Sequence, residues 1–159
     1  MSIQISNLTL KQKKSHMAVA AAAVAATAAG ATPIPFSDAA VLVPIEASML
    51  TSITVIFGFE ISKSVLTGLV STIIGTGGTT MTGRTLVVNL LKMIPGVGSL
   101  TGGVISGATA ALLTTALGEA YIALMTAMFN GEIKARDLET KEGQEKLNEL
   151  FKEELEKKR

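Results

Sequence analysis

The sequence predicts an all-α protein, a compact bundle of about five or six helices packed through alanine and glycine, with membrane-embedded hairpins as the alternative arrangement of the same segments. Three observations predict it. Apolar residues fill 48% of the 159 positions and the mean hydropathy is +0.46, on the greasy side of ordinary globular chains. Breakers come widely spaced, at Gly30, Pro33, Pro35, Gly58, Pro95-Gly96 and Asn130-Gly131, leaving segments of helical length between them. Charge is segregated: seventeen of the 27 charged side chains lie in residues 132–159. Residues 17–130 carry only Asp38, Glu46, Glu60, Lys63, Arg84, Lys92 and Glu119. The chain therefore divides into an N-terminal arm (1–16), an apolar helical domain (17–131) and a charged amphipathic C-terminal helix (132–159).

The arm carries Ile3, Ile5, Leu8 and Leu10, able to dock on a neighbour, and then the basic group Lys11-Gln12-Lys13-Lys14. A basic start before an apolar run resembles a signal peptide, but the run is mostly alanine, and Thr32-Pro33-Ile34-Pro35 stands where a cleavage site belongs. The spacing instead predicts an Ala-rich packing helix from about Thr9, as N-cap, to Ala29, stopped by Gly30 and the prolines. Ser37 and Asp38 supply start signals for a second helix with Met49, Ile53 and Ile56 on one face. Pro44 either kinks this helix or marks its first turn. Alternation of Ile53, Val55, Phe57 and Phe59 leaves a strand as the local alternative. Gly58 closes the segment, and Glu60 and Lys63 form an exposed pair at the next start.

Residues 64–83 carry no charge and end in the loop-like Gly75-Thr76-Gly77-Gly78-Thr79-Thr80. Their length nearly spans a bilayer, yet threonine, serine and glycine make them weakly apolar. Residues 84–92 predict a short helix. Residues 90–129 form the longest apolar stretch, turning at Pro95 and Gly96, with Gly98, Gly102, Gly103 and Gly107 spaced to let another helix come close. A leucine at Gly103 or Gly107 should disturb that packing, and substitution of Gly143 in the tail should matter much less. From Thr140 the tail predicts an amphipathic helix with Leu147, Leu150, Phe151 and Leu155 on one face, docked on the bundle or loose.

The search for chemistry excludes more than it finds. The chain has no cysteine, hence no disulfide, thiolate nucleophile or Cys-type zinc site. A net charge of +1, no tryptophan and one tyrosine leave nucleic acid without its usual readout. Gly96-Val97-Gly98-Ser99-Leu100-Thr101-Gly102 misses the dinucleotide fingerprint by one position and lacks its context. No lysine follows a glycine as a phosphate-binding loop needs. His16 reads as a surface histidine with no acidic neighbour in sequence. Asp38, Glu46, Glu60 and Glu119 lack the spacing of a metal cluster or an acid and base pair, so helix caps and buried ion pairs are their expected roles; an enzyme would need Asp38, Glu46 and Glu119 gathered in one pocket. Glu119, alone between Lys92 and Glu132, is expected to be buried against Arg84 or Lys92, with a water-facing position at a helix end after Gly118 as the alternative. No catalytic, cofactor-binding or metal residue is assigned.

The runs Pro33-Ile34-Pro35-Phe36-Ser37-Asp38, Ile45-Glu46-Ala47-Ser48-Met49-Leu50, Phe57-Gly58, Lys92-Met93-Ile94-Pro95-Gly96-Val97-Gly98 and Thr114-Thr115-Ala116-Leu117-Gly118-Glu119-Ala120-Tyr121 are similar to those of the bacterial YcjF-like domain of unknown function. The resemblance covers residues 17–130. It implies an all-helical, membrane-associated module of the kind found C-terminal to Era-like GTPase domains, and it supplies no catalytic residue. The expected function is therefore a non-enzymatic, cytoplasm-facing helical module for membrane association, docking to a GTPase partner, or both. The alternative is a cytoplasmic helical interaction domain with no membrane role. Self-association into a homo-oligomer fits either, and no cofactor is implied.

Overall fold

The computed structural model describes residues 1–30, 34–35, 42–74, 104–105 and 107–158. Helix α1 (Ser2–Gly30) leads to a two-residue strand β1 (Ile34–Pro35), then α2 (Leu42–Phe57) and α3 (Lys63–Ile74). Strand β2 (Val104–Ile105) pairs antiparallel with β1, Ile34 opposite Ile105 and Pro35 opposite Val104. Helix α4 (Gly107–Phe129), a 3-10 turn (Ala135–Glu139) and α5 (Lys141–Lys157) complete the chain. The expected all-α bundle is present, tied at one point by this short bridge.

Helix α1 starts earlier than its sequence signals. It runs from Ser2 without a break through the expected cap Thr9, whose hydroxyl donates back to the Ile5 carbonyl at 3.0 Å. Tertiary packing extends it: Leu8 packs against the core, and Gln12 donates to Thr126 on α4 at 3.2 Å. The arm is thus the first part of a helix about 43 Å long. Helix α2 starts at Leu42 and places Pro44 in its first turn, where a missing amide hydrogen has no intrahelical partner to lose. The strand alternative for residues 52–61 fails because Ile53 and Phe57, four apart, both face inward while Val55 faces out. Gly58 at φ +85° closes α2, with Phe59 donating to the Thr54 carbonyl and Gly58 to Val55. Lys11 of α1 donates to the Ile56 carbonyl at 2.8 Å, placing a cation at the negative end of α2.

Helix α4 is the axis of the bundle. Residues 110–129 include a single exposed position, Ala123, because α1, α2 and α5 all pack around them. Ala110–Phe129 is the one described helix long and apolar enough to cross a membrane, and 61% of it is buried inside the protein. An apolar surface on all sides is what such a central helix requires. Gly131 at φ +79° ends it, with Glu132 donating to the Ala127 carbonyl and Gly131 to Met128, the paired bonds of a glycine C-terminal cap. In the tail, Thr140 accepts from the Gly143 amide as N-cap, and α5 docks with Leu147, Phe151 and Leu155 buried.

One glycine contact adds to the sequence-based expectations and another corrects them. A tight approach in α4 occurs at Gly118, where an added Cβ would lie 2.4 Å and 2.8 Å from the Val19 methyl groups of α1 and 3.1 Å from Met49 Sδ of α2. Gly143, expected to tolerate substitution, is buried against backbone, with an added Cβ 2.0 Å from the Asp137 carbonyl oxygen. Gly107 is the first residue of α4. Gly98, Gly102 and Gly103, the turn and cap residues Pro33, Asp38, Pro95 and Gly96, and the short helix expected over 84–92 lie outside the described residues, while Pro35 sits in β1.

Candidate functional site

Polar side chains enter this apolar interior at a few places, and the seam between α2 and α4 holds two of them. Near the end of α2, Thr54 donates to the Leu50 carbonyl at 2.7 Å, so its oxygen is left to accept from the Tyr121 hydroxyl, also at 2.7 Å. Both residues are buried, and burial pushes the Tyr121 hydroxyl well above its ordinary range despite the Thr54 bond. The pair is therefore a neutral clamp holding α2 to α4.

Near the start of α2 the seam holds Glu46, fully buried. Thr114 of α4, equally buried, donates its hydroxyl to Glu46 Oε1, while Oε2 has no hydrogen-bond partner among the described residues. Burial raises the carboxyl from 4.5 to about 7, and the Thr114 bond offsets only part of that. Among the described residues the buried carboxyl group of the body is thus Glu46, where the charge pattern pointed to Glu119. Ser15 on α1 is a third sealed polar group, its hydroxyl also without a partner among the described residues.

Glu119 is partly exposed, and its Oε1 lies 2.9 Å from His16 Nδ1 of α1. This corrects two expectations, since Glu119 is not sealed in the core and His16 does face an acid. The carboxylate accepts, so the ring carries its proton on Nδ1 in this contact. The two are 103 residues apart, and only the antiparallel packing of α1 on α4 unites them. Arg84 and Lys92, the expected partners, lie outside the described residues. Asp38 also lies outside them, and Glu60 is exposed. Among the described residues no three His, Cys, Asp or Glu side chains gather as a metal site would need.

The outer surface carries the other unusual feature. Met17 and Val24 on α1 and Val55 on α2 stand exposed, and a groove of about 410 Å³ between α1 and α2 is lined by Ala18, Ala21, Ala25, Pro44, Ile45 and Met49 among others. Charged side chains are concentrated instead on α5, where Lys141 with Glu145, Lys146 with Glu149 and Lys157 with Glu154 make ion pairs along the exposed face.

One apolar helix enclosed by the rest, with Thr114 and Tyr121 sealed in its seam with α2 and Glu119 paired at its partly exposed flank, defines an all-helical packing module. The chain belongs to the family described as domain of unknown function DUF697, which it matches over residues 4–159. It is 33% identical over 99 residues to a protein of Magnetospirillum gryphiswaldense named magnetosome membrane protein 22. That alignment covers 60% of this chain and 49% of the relative, so the chain spans about half the length of the curated relative it matches. No solved structure matches the chain.

Proposed function

We propose that the protein is a non-catalytic helical module that associates with a membrane. One observation carries this reading: the outer surface of the body exposes large apolar side chains, at Met17, Val24 and Val55, while charge is concentrated in the C-terminal helix. Met17 and Val24, seven residues apart on α1, share one side of that helix, and a contiguous exposed apolar surface meets something other than water. Similarity to a protein named for a membrane supports the same reading. The family resemblance adds an Era-like GTPase domain as the partner that such a module would tether.

The burial of Ala110–Phe129 favours a second reading, a helical interaction domain with no membrane role, because that helix already has a protein environment. Fractionation of cells producing the chain separates the two. Membrane association requires the protein in the membrane pellet, and a detergent-free, monodisperse protein found entirely in the supernatant would refute it. Co-purification with an Era-like GTPase domain, compared in its GTP-bound and GDP-bound forms, tests the partner separately.

A further inference from the structure

Helix α1 is apolar on two opposite sides. Its inner side, with Val19, Ala22 and Ala26, is covered by the rest of the bundle. Its outer side carries Ile3, Leu10, Met17 and Val24 at 78%, 50%, 66% and 72% exposure. These four recur every seven residues, so they fall on one stripe of the helix, shifted by only about 20° per repeat. From Ile3 to Val24 the stripe runs about 32 Å, roughly three-quarters of the length of α1. Beside it the exposed Lys13 and Lys14 lie between Leu10 and Met17, one on each flank, and neither makes an ion pair among the described residues. Helix α1 contains no aspartate or glutamate. The nearest charge contact is the pair His16 and Glu119 on its flank, and Lys11 is turned to the end of α2.

The geometry points to this outer face of α1 as a docking surface for an anionic lipid bilayer, on which the helix lies parallel to the membrane while α4 stays inside the bundle. The inference rests on the membrane association proposed above and specifies how it is made. Charge selects this occupant. An interfacial helix buries an apolar stripe at the headgroup boundary and places lysines against anionic lipid, their stems reaching along the apolar surface. A second copy meeting the same face would bring four lysines together near mid-helix with no carboxylate on either stripe to offset them. The groove between α1 and α2 adjoins the stripe through Ala21 and Ala25 and extends the apolar surface toward Ile45.

The test is flotation of the full chain with phosphatidylcholine vesicles, with and without phosphatidylserine. We compare the unaltered protein with Lys13→Glu/Lys14→Glu, with Met17→Gln/Val24→Gln, and with Lys141→Glu/Lys146→Glu, which changes the net charge equally but on α5. Far-UV circular dichroism and melting establish that each variant is folded, as expected for exposed positions. Because the chain has no tryptophan, Val24→Trp and Glu149→Trp serve as local reporters. The expected result is flotation with the anionic vesicles, weakened by salt, roughly ten- to thirty-fold lower partition for both α1 double variants, and little change for the α5 variant. Fluorescence should shift to the blue at position 24 and not at 149. If the unaltered protein floats and both α1 variants float equally well, this surface is overturned while membrane association stands. Resistance to an alkaline carbonate wash would mean insertion and would overturn docking. A vesicle-free dimer that Met17→Gln/Val24→Gln dissociates would give the face to a second copy. No flotation with either vesicle would overturn both the docking face and the membrane reading beneath it.

Discussion

Replacing Glu46 with glutamine should make the protein more stable in mild alkali and leave it little changed in mild acid. In the unfolded chain the carboxyl titrates near 4.5, and in the folded protein burial holds it at about 7. The folded state therefore keeps a proton that the unfolded state has already released. Stability falls as the pH rises from 4.5 through 7 and is level on either side of that window as far as this group is concerned. The difference between these values corresponds to about 3 kcal/mol, all of it a penalty on folding above pH 7. Glutamine keeps an oxygen to accept from Thr114 and carries no charge at any pH, though its amide hydrogens meet the space where Oε2 lacks a partner. Denaturant unfolding followed by far-UV circular dichroism, from pH 4.5 to 8.5, gives both stability curves, and their difference removes every other titrating group. The gap between variant and unaltered protein should widen by about 3 kcal/mol across that range, or by roughly 6 to 12 °C in melting temperature for a chain of this size. Parallel curves would refute the reasoning and mean that Glu46 has a charged partner or water at Oε2.

Three glycines should respond to alanine in different directions. Gly68, in the middle of α3 with open space where a Cβ would stand, should gain about 0.5 to 1 kcal/mol in thermal unfolding. Gly118 should lose about 1 to 3 kcal/mol, since Val19 has to move aside. Gly143 should lose at least as much, because backbone cannot rotate away, and limited proteolysis should then cut α5 first. Tyr121→Phe should cost about 1 kcal/mol in denaturant unfolding, and Thr54→Val more, because it strands a buried phenol hydroxyl instead of removing it.

Local signals were readable wherever local physics sets the structure. Thr140 begins a helix through its own hydroxyl, Gly58 and Gly131 end helices in a positive-φ conformation that the lack of a Cβ allows, and the apolar positions Leu147, Phe151 and Leu155 fall on one face at helical period. The all-α class and the family followed from such features and from the order of the apolar runs. What escaped depends on packing between distant segments. The contact of His16 with Glu119 needs two helices brought together across 103 residues, and nothing next to either residue announces it. Charge isolation in sequence picked out Glu119, yet Glu46 is the one sealed in, because its position on α2 faces α4. Gly118 looked ordinary beside the denser glycines of 98–107, and Gly143 looked like a tail residue until the 3-10 turn folded back over it.

The enclosure of α4 by α1 and α5 also sets the order in which the protein can fold. A ribosome delivering about 5 to 20 residues per second releases Glu119 roughly 5 to 20 s after His16. Through that interval the inner side of α1, with Val19, Ala22 and Ala26, lacks the helix it is built to cover. Although nearly all of its described structure is helical, the fold closes through contacts of high sequence separation, so its folding rate should fall below that of helical bundles whose neighbours in space are neighbours in the chain. A nascent α1 with both sides bare is a ready ligand for chaperones or for a lipid surface during synthesis, and a bilayer reached at that stage would meet the helix before its bundle exists.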